Sequence, residues 1–156
     1  MKIKDKIKFK IQKAKKGYCD YDLYSIDLWF INIFPKMLEE FINCTCGCPC
    51  NEKDLTIEVV NFPNMWKEKQ RPLINKMLKK YDEEYDLNDS MCCWLLILLR
   101  MKYCFEMCDE WNKEYDKCWD KNEYEFLNKT INKHKQEAFY LFEKYFFDLW
   151  WWFNEK

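Results

Sequence analysis

The sequence predicts an all-α protein, an irregular bundle of about four main helices with a Cys-rich loop and a basic N-terminal arm. Only 2 of its 156 residues are Gly and 4 are Pro, too few for the frequent turns of an all-β sandwich or barrel. Large apolar side chains recur at three- and four-residue steps, which is the spacing of one helix face. Aromatic residues make up 19% of the chain, so a domain of this size can bury a dense core.

The N-terminal arm has a charge opposite to that of the rest of the chain. Residues 1–16 contain eight Lys and one Asp, a net charge of +7, so residues 17–156 carry −8 of the total of −1. Ile3, Ile7 and Ile11 are spaced for a helix face, whereas Ile7, Phe9 and Ile11 alternate as in a strand, and both interpretations stay open. Gly17 interrupts the pattern, which predicts an arm at 1–17 and one helical domain at 18–156.

The first helix of the domain is expected to follow Asp20 or Asp22, either of which can cap it. We expect Pro35 to kink this helix or to start a new one. Residues 43–64 are expected to be rich in loops, with 55–60 (LTIEVV) a short strand or an extended connection. The predicted buried stripe of the helix consists of Leu23, Asp27, Phe30, Phe34, Met37 and Phe41.

Three further segments have helical spacing. One runs from about Met65 to Tyr85, with a break near Pro72 and an apolar side at Trp66, Leu73, Met77 and Tyr81. The next is capped by Asn88 or Asp89, and its apolar run Met91–Leu99 is expected at the centre of the core. Glu110–Glu125 is either helical or a break. The last helix runs from about Glu123 to Phe153 with a seam of Leu127, Ile131, His134, Ala138, Phe142, Tyr145, Leu149 and Trp152.

The cysteines and apolar runs predict the compartment. Ten Cys would suggest disulfides in a secreted protein, but the Lys-rich N-terminus lacks the apolar segment of a signal peptide. The longest apolar run, Met91–Leu99, is too short to span a bilayer. We therefore expect a reducing cytoplasm, in which most Cys pack as small core residues.

Three segments together have a recognisable pattern. Gly17–Phe41 combines a Gly-Tyr pair, an acidic residue, an Ile-Asp pair and a Phe-Pro-Lys-Met-Leu turn. Trp94–Phe105 reads WLLILLRMKYCF, and Glu137–Trp151 (EAFYLFEKYFFDLWW) is the most specific of the three. They resemble a family of small uncharacterised proteins common in tailed-phage genomes. The resemblance implies a helical fold and a setting in the host cytoplasm, but no chemistry, and it does not extend to the Cys-rich loop or to residues 51–88.

The Cys-rich loop is the one local pattern with metal-binding chemistry. Cys44, Cys46, Cys48 and Cys50 (CTCGCPC) offer four thiols, and four thiolates can hold zinc tetrahedrally. Structural zinc sites usually combine two separate Cys-x₂-Cys pairs, however, and this unbroken run closes on one ion only with tight turning at Gly47 and Pro49. A plain surface loop is therefore favoured over a zinc site.

Catalytic patterns are missing from the sequence. With two Gly there is no Gly-rich phosphate loop, and the single histidine, His134, has no triad or metalloprotease context. Asp27 is expected on an apolar helix face, where a buried pair with Lys, Arg or an aromatic donor is favoured over a role as a ligand-facing acid. We therefore predict that the protein is not an enzyme and needs no cofactor.

These patterns lead to a binding hypothesis. We expect a non-enzymatic phage accessory protein, a homo-oligomer, that sequesters or inhibits a host factor such as a nucleotide-derived defence signal or a host protein. The alternatives are a nucleic-acid-binding factor that uses the Lys arm and a metal-binding protein that uses the Cys loop. A membrane partner is disfavoured, and adsorption of the C-terminal tryptophans at a membrane interface is the less favoured alternative. Trp150, Trp151 and Trp152 are predicted to form a partner surface, and a small anionic ligand would be held by Lys8, Lys10, Lys13, Lys15, Lys16, Asp27, Arg71 and Arg100.

Overall fold

The computed structural model describes residues 3–23, 25–45, 47–49, 52–115, 117 and 120–149. These residues form seven α-helices and no strand, so the predicted all-α class is confirmed. Short 3₁₀ turns at Lys79–Tyr81 and Phe147–Leu149 follow the fifth and seventh helices. The helices are α1 (Ile3–Lys16), α2 (Asp20–Leu23), α3 (Ile26–Cys44), α4 (Glu52–Val60), α5 (Asn64–Leu78), α6 (Ser90–Tyr115) and α7 (Lys121–Tyr145).

Helix α6 is the centre of the bundle, and it contacts α3, α4, α5 and α7. Its residues 91–98 are all buried, and Trp94 is fully enclosed. A helix that is apolar on every side has no solvated face, so it must be surrounded by other elements. The apolar run Met91–Leu99 predicted this position.

Phenylalanine rings fill the space where α3, α6 and α7 meet. Phe34 of α3 lies edge-on to Phe105 of α6, with ring centroids 5.2 Å apart, and to Phe142 of α7 at 4.8 Å. Phe30 stacks on Phe34 at 4.9 Å and on Phe139 at 6.1 Å. Edge-to-face and offset contacts of this kind are favourable beyond the area that the rings bury, so this cluster fixes the relative positions of the three helices.

A polar contact joins α4 to α7. The carboxylate of Glu58, which is buried, accepts hydrogen bonds from the Tyr140 hydroxyl at 2.9 Å and from Lys144 Nζ at 2.6 Å. A buried charge needs such partners because its desolvation is otherwise very costly.

Aspartate side chains cap the N-termini of the two longest helices, α6 and α7. Asp89 Oδ1 accepts a hydrogen bond from the Cys92 N–H at 2.8 Å, which confirms one of the two predicted caps. Asp120 Oδ1 accepts from the N–H groups of Asn122 and Glu123, so α7 begins at Lys121, slightly before the predicted start near Glu123.

The predicted loop at 43–64 is wrong in its second half, where residues 52–60 form α4. The β-branched run LTIEVV favoured a strand or an extended connection, but Leu55, Glu58 and Val59 are buried at helical spacing against the bundle. Tertiary burial therefore overrides strand propensity in this segment.

The predicted buried faces of α3 and α5 are partly correct: Phe34, Phe41 and Trp66 are buried as predicted, but the observed faces are rotated about the helix axes. In α3, Met37 is exposed, Leu23 lies in the separate helix α2, and the buried residues are Ile31, Phe34, Pro35, Leu38, Phe41 and Ile42. In α5, Leu73 is exposed while its neighbour Ile74 is buried. Neither Pro35 nor Pro72 ends its helix.

The cysteines that the structure describes are all free thiols, and five of them are buried: Cys19, Cys92, Cys93, Cys104 and Cys108. This agrees with the prediction that most Cys pack as core residues. Within the described parts of the chain, we find no helix with the combined length and hydrophobicity that crossing a bilayer requires.

Candidate functional site

Helix α1 lies outside the core, and none of its residues is buried. The exposed fractions of Ile3, Ile7 and Ile11 are 76%, 55% and 51%. At about 100° per residue, these three side chains fall within an arc of about 80° on one side of the helix. Lys4 and Lys15 border this arc on one edge, and Lys6 and Lys10 border it on the other. We call this surface, Ile3, Ile7 and Ile11 with its bordering lysines, the isoleucine stripe.

The opposite side of α1 is attached to α2. Lys8 Nζ lies 2.8 Å from Asp20 Oδ2, and Lys13 Nζ lies 3.1 Å from Asp22 Oδ1. The Asp20 N–H donates to Gln12 Oε1 at 3.1 Å. Polar contacts therefore hold α1 with its isoleucine stripe turned away from α2. Gly17 adopts φ +79°, and its N–H donates to the Lys13 carbonyl at 2.9 Å, so α1 ends where Gly17 was expected to interrupt the apolar pattern.

The two aspartates of this attachment have perturbed acidities. Hydrogen bonding with Gln12 and then the ion pair with Lys8 lower the pKa of Asp20 below its ordinary value. The Cys19 N–H, which donates to the carboxylate of Asp22 at 2.8 Å, is the main cause of the lowered pKa of Asp22. Both carboxylates are therefore ionised at neutral pH and hold the lysines of α1.

A shallow groove of about 500 Å³ runs along α1. Its lining comes from α1 alone and consists of Lys4, Ile7, Lys8, Ile11, Gln12, Lys15 and Lys16. Sites for small molecules are concave and bury most of the ligand surface. A groove on one side of a single helix does not enclose a small ligand in this way. It can contact a partner that presents an extended surface along the length of the helix.

Three of the other residues predicted to hold a small anion, Asp27, Arg71 and Arg100, lie on α3, α5 and α6 and do not line this groove. Asp27 is exposed, which corrects the prediction of a buried carboxylate, because the core face of α3 is centred on Phe34 and Leu38 instead. Arg71 is exposed on α5, 3.5 Å from Glu68 Oε2 and 5.0 Å from the ring centroid of Tyr85.

Arg100 is a buried structural residue of α6. Its Nε donates to Glu137 Oε1 at 2.6 Å and its Nη2 donates to Oε2 at 2.8 Å, so the two side chains form a bidentate ion pair. Its guanidinium carbon also lies 5.1 Å from the Trp66 ring centroid and 5.3 Å from that of Tyr103. Because its side chain is buried inside the bundle, with Nε and Nη2 hydrogen-bonded to Glu137 and aromatic rings beside the guanidinium, Arg100 is not available to a ligand on α1.

A second cluster shares Glu137 with this ion pair and was not predicted from the sequence. The ligand atoms of Cys104, His134 and Glu137 all lie within 4.8 Å of one another, between α6 and α7. Cys104 is buried, and His134 and Glu137 are partly exposed. The available signal was the three-residue step from His134 to Glu137, which puts both side chains on one helix face; the contribution of Cys104 comes from α6 and needs the fold.

Burial sets the acidities in this cluster. It raises the pKa of the Cys104 thiol above its ordinary range, and the nearby Glu137 carboxylate raises it further. Burial and then the positive charge of Arg100 lower the pKa of His134, so its imidazole is neutral at pH 7. The buried Nδ1 of His134 has no hydrogen-bond partner among the described residues.

The remaining predicted sites lie partly or wholly outside the described residues. Of the Cys-rich loop, Cys44 is exposed and Cys48 packs partly against the core, whereas Cys46 and Cys50 lie outside the described residues. The predicted partner surface at residues 150–152 also lies outside them. The zinc prediction for this loop and the tryptophan surface therefore stay predictions.

No protein-family model matches this chain, and no curated protein or solved structure is significantly similar to it. The resemblance to the tailed-phage family therefore stays a prediction.

Proposed function

We propose that this protein is a non-enzymatic accessory protein that acts by binding, and that α1 attaches it to an anionic membrane surface. The observation that supports this most directly is the isoleucine stripe, an apolar row between two rows of lysines on the outer side of a solvent-exposed helix. Helices that bind at a membrane interface have one apolar side, which lies among the acyl chains, and a polar side rich in Lys or Arg.

Both parts of the stripe contribute to such binding. Burying a large aliphatic side chain is worth about 1.5–3 kcal/mol relative to leaving it exposed. Three isoleucines that start at least half exposed therefore supply a few kcal/mol by the same rule. Each Lys near an anionic lipid surface adds about 1 kcal/mol. The lysines give the helix a preference for a negatively charged membrane surface. The isoleucines add an apolar contact that a partner bound by charge alone would leave exposed to water.

Other partners account for fewer of the observations. Nucleic acid would engage the lysines through its phosphates but leave the isoleucines in water. A nucleotide would require an enclosed site, and the groove along α1 is shallow and open. The sequence disfavoured a membrane partner and attributed any interfacial adsorption to the C-terminal tryptophans, whereas the exposed isoleucines of α1 favour this helix as the interfacial element. Inhibition of a host factor at that surface remains the proposed biological role.

Vesicle sedimentation tests the proposal with defined lipids. The full chain is mixed with vesicles of phosphatidylcholine alone or with added phosphatidylglycerol. We expect binding to the anionic vesicles only, weakened by salt because screening shortens the range of the attraction. Ile7→Glu should abolish most of this binding, because it puts a charge in the apolar row.

Ile57→Glu is the matched control, since Ile57 is 63% exposed on α4 and Ile7 is 55% exposed on α1. This control should sediment like the unaltered protein. Equal binding to neutral and anionic vesicles, no binding to either, or equal loss in both variants would contradict the proposal. Duplex DNA bound equally well by the unaltered protein and by Ile7→Glu, with no vesicle binding, would favour the nucleic-acid alternative instead.

A further inference from the structure

The cluster at the α6–α7 interface contains three side chains with metal-binding atoms and one orphaned nitrogen. Cys104 comes from α6, and His134 and Glu137 come from successive turns of α7. Their ligand atoms lie within 4.8 Å of one another. The Nδ1 of His134 is buried and none of the described residues hydrogen-bonds to it. Five buried side-chain polar atoms of the described residues lack a partner, and this nitrogen is the one that an ion ligated by His134 through Nδ1 would satisfy.

The ligand atoms of these three side chains suit one class of cation. A thiolate sulfur, an imidazole nitrogen and a carboxylate oxygen are the ligands that zinc prefers, and zinc sites with three protein ligands leave a fourth position for water. Since the side chain of Glu137 is 24% exposed, this fourth position has a route to solvent. Hard cations such as magnesium and calcium prefer oxygen ligands throughout, so the sulfur and the nitrogen disfavour them.

Arg100 is placed to orient one of these ligands. Its guanidinium holds both oxygens of Glu137 at 2.6 and 2.8 Å, and a carboxylate has about four lone-pair positions. One oxygen can therefore face the cation while Arg100 fixes the plane of the group. Ligating side chains in metal sites commonly have such supporting hydrogen bonds.

We infer that Cys104, His134 and Glu137 form a binding site for a divalent cation of the zinc class, with Arg100 as a positioning residue. Binding requires the Cys104 thiol to lose its proton to solvent as the sulfur–metal bond forms. The site joins α6 to α7 and is independent of α1, so it can exist whether or not α1 binds membranes.

Cobalt titration of the full chain tests this site. Cobalt(II) is added to metal-free protein, and the near-ultraviolet absorption of a thiolate–cobalt bond is followed together with the visible bands of tetrahedral cobalt. We expect a spectrum that saturates at one cobalt per chain and is removed by zinc. Cys104→Ser and His134→Ala should each weaken cobalt binding by about tenfold or more.

Two controls separate this site from other thiols. Cys108→Ser alters another buried cysteine, one turn further along α6, and should keep the spectrum. A variant with Ser at positions 44, 46, 48 and 50 removes the Cys-rich loop as a ligand and should keep it as well. Circular dichroism checks that each variant is folded. If Cys104→Ser fails to fold, His134→Ala decides the question, because His134 is only partly buried.

Two results would overturn the inference. One is the lack of any cobalt spectrum at equimolar metal, which would leave the cluster as a metal-free hydrogen-bonded contact. The other is a spectrum that survives Cys104→Ser and His134→Ala but disappears in the loop variant, which would place the metal at the Cys-rich loop.

Discussion

Replacing Glu137 by Ala tests how much the buried ion pair stabilises the fold. The change removes both hydrogen bonds of Arg100, whose side chain is only 8% exposed. Arg100 then remains inside the bundle as a charge without a counter-ion, beside aromatic rings that compensate only in part. Breaking a buried pair in this way typically costs about 3–5 kcal/mol. We expect the lower end, about 3 kcal/mol, because the rings retain some of the attraction.

The reverse change is expected to cost less. Arg100→Met keeps much of the aliphatic volume and leaves Glu137 unpaired, but the side chain of Glu137 is 24% exposed and can recover water. The expected loss is about 1–2 kcal/mol. The double variant, Arg100→Met with Glu137→Ala, leaves no buried charge. It should therefore be destabilised by less than the sum of the single changes, with a coupling energy of about 2 kcal/mol.

Equilibrium urea unfolding, followed by circular dichroism, measures all three variants. The buffer contains a chelator, so that a cation bound at Glu137 does not contribute to the free energy of unfolding. Two results would contradict the expectation that the more deeply buried Arg100 makes the loss of Glu137 the more costly change. One is a strictly additive decrease in the free energy of unfolding, and the other is a larger decrease in Arg100→Met than in Glu137→Ala.

Three other predictions concern the helices and their contacts. Asp120→Ala should lower the free energy of unfolding by about 1 kcal/mol, because two N–H groups at the start of α7 lose their acceptor. A decrease of less than a few tenths of a kcal/mol, measured by urea unfolding, would contradict this. Leu96→Ala should lower the free energy of unfolding by about 3 kcal/mol because Leu96 is fully buried. The control Leu73→Ala, at an exposed position, should lower it much less. Similar urea midpoints for the two variants would contradict the described core. The folded-state pKa values of Asp20 and Asp22 lie below their ordinary 3.8, so their contribution to holding α1 is present above that pH and is lost as the pH falls through the lowered values. Backbone chemical shifts of α1 in an acid titration should therefore change in that range, and unchanged shifts down to full protonation would argue against the attachment.

The helical class and the central position of α6 were accessible from the sequence because they depend on local patterns. Scarce Gly and Pro exclude a turn-rich fold, and an apolar run such as Met91–Leu99 has no face to give to water. The Asp89 cap and the end of α1 at Gly17 are local in the same sense. Each depends on residues within a few positions of one another.

Which side of each amphipathic helix faces the core was harder to predict from the sequence. In α3 a periodic pattern fitted Asp27 and Met37, but the buried face is centred on Phe34 and Leu38. Neighbouring helical positions differ by about 100°, so a helix with many apolar residues admits more than one stripe. The packing partners select between them. The same holds for α4, where burial against α6 turns a strand-like sequence into a helix.

The sequence by itself determined the helical class, the central helix and the charge contrast between the arm and the remainder. Only the tertiary structure decided that Arg100 faces Glu137 rather than a ligand, and that Cys104 meets His134. These pairs are separated by 37 and 30 positions, and no local periodicity specifies which faces of two helices meet. Their contact follows from the packing of α6 against α7, which is a property of the whole core.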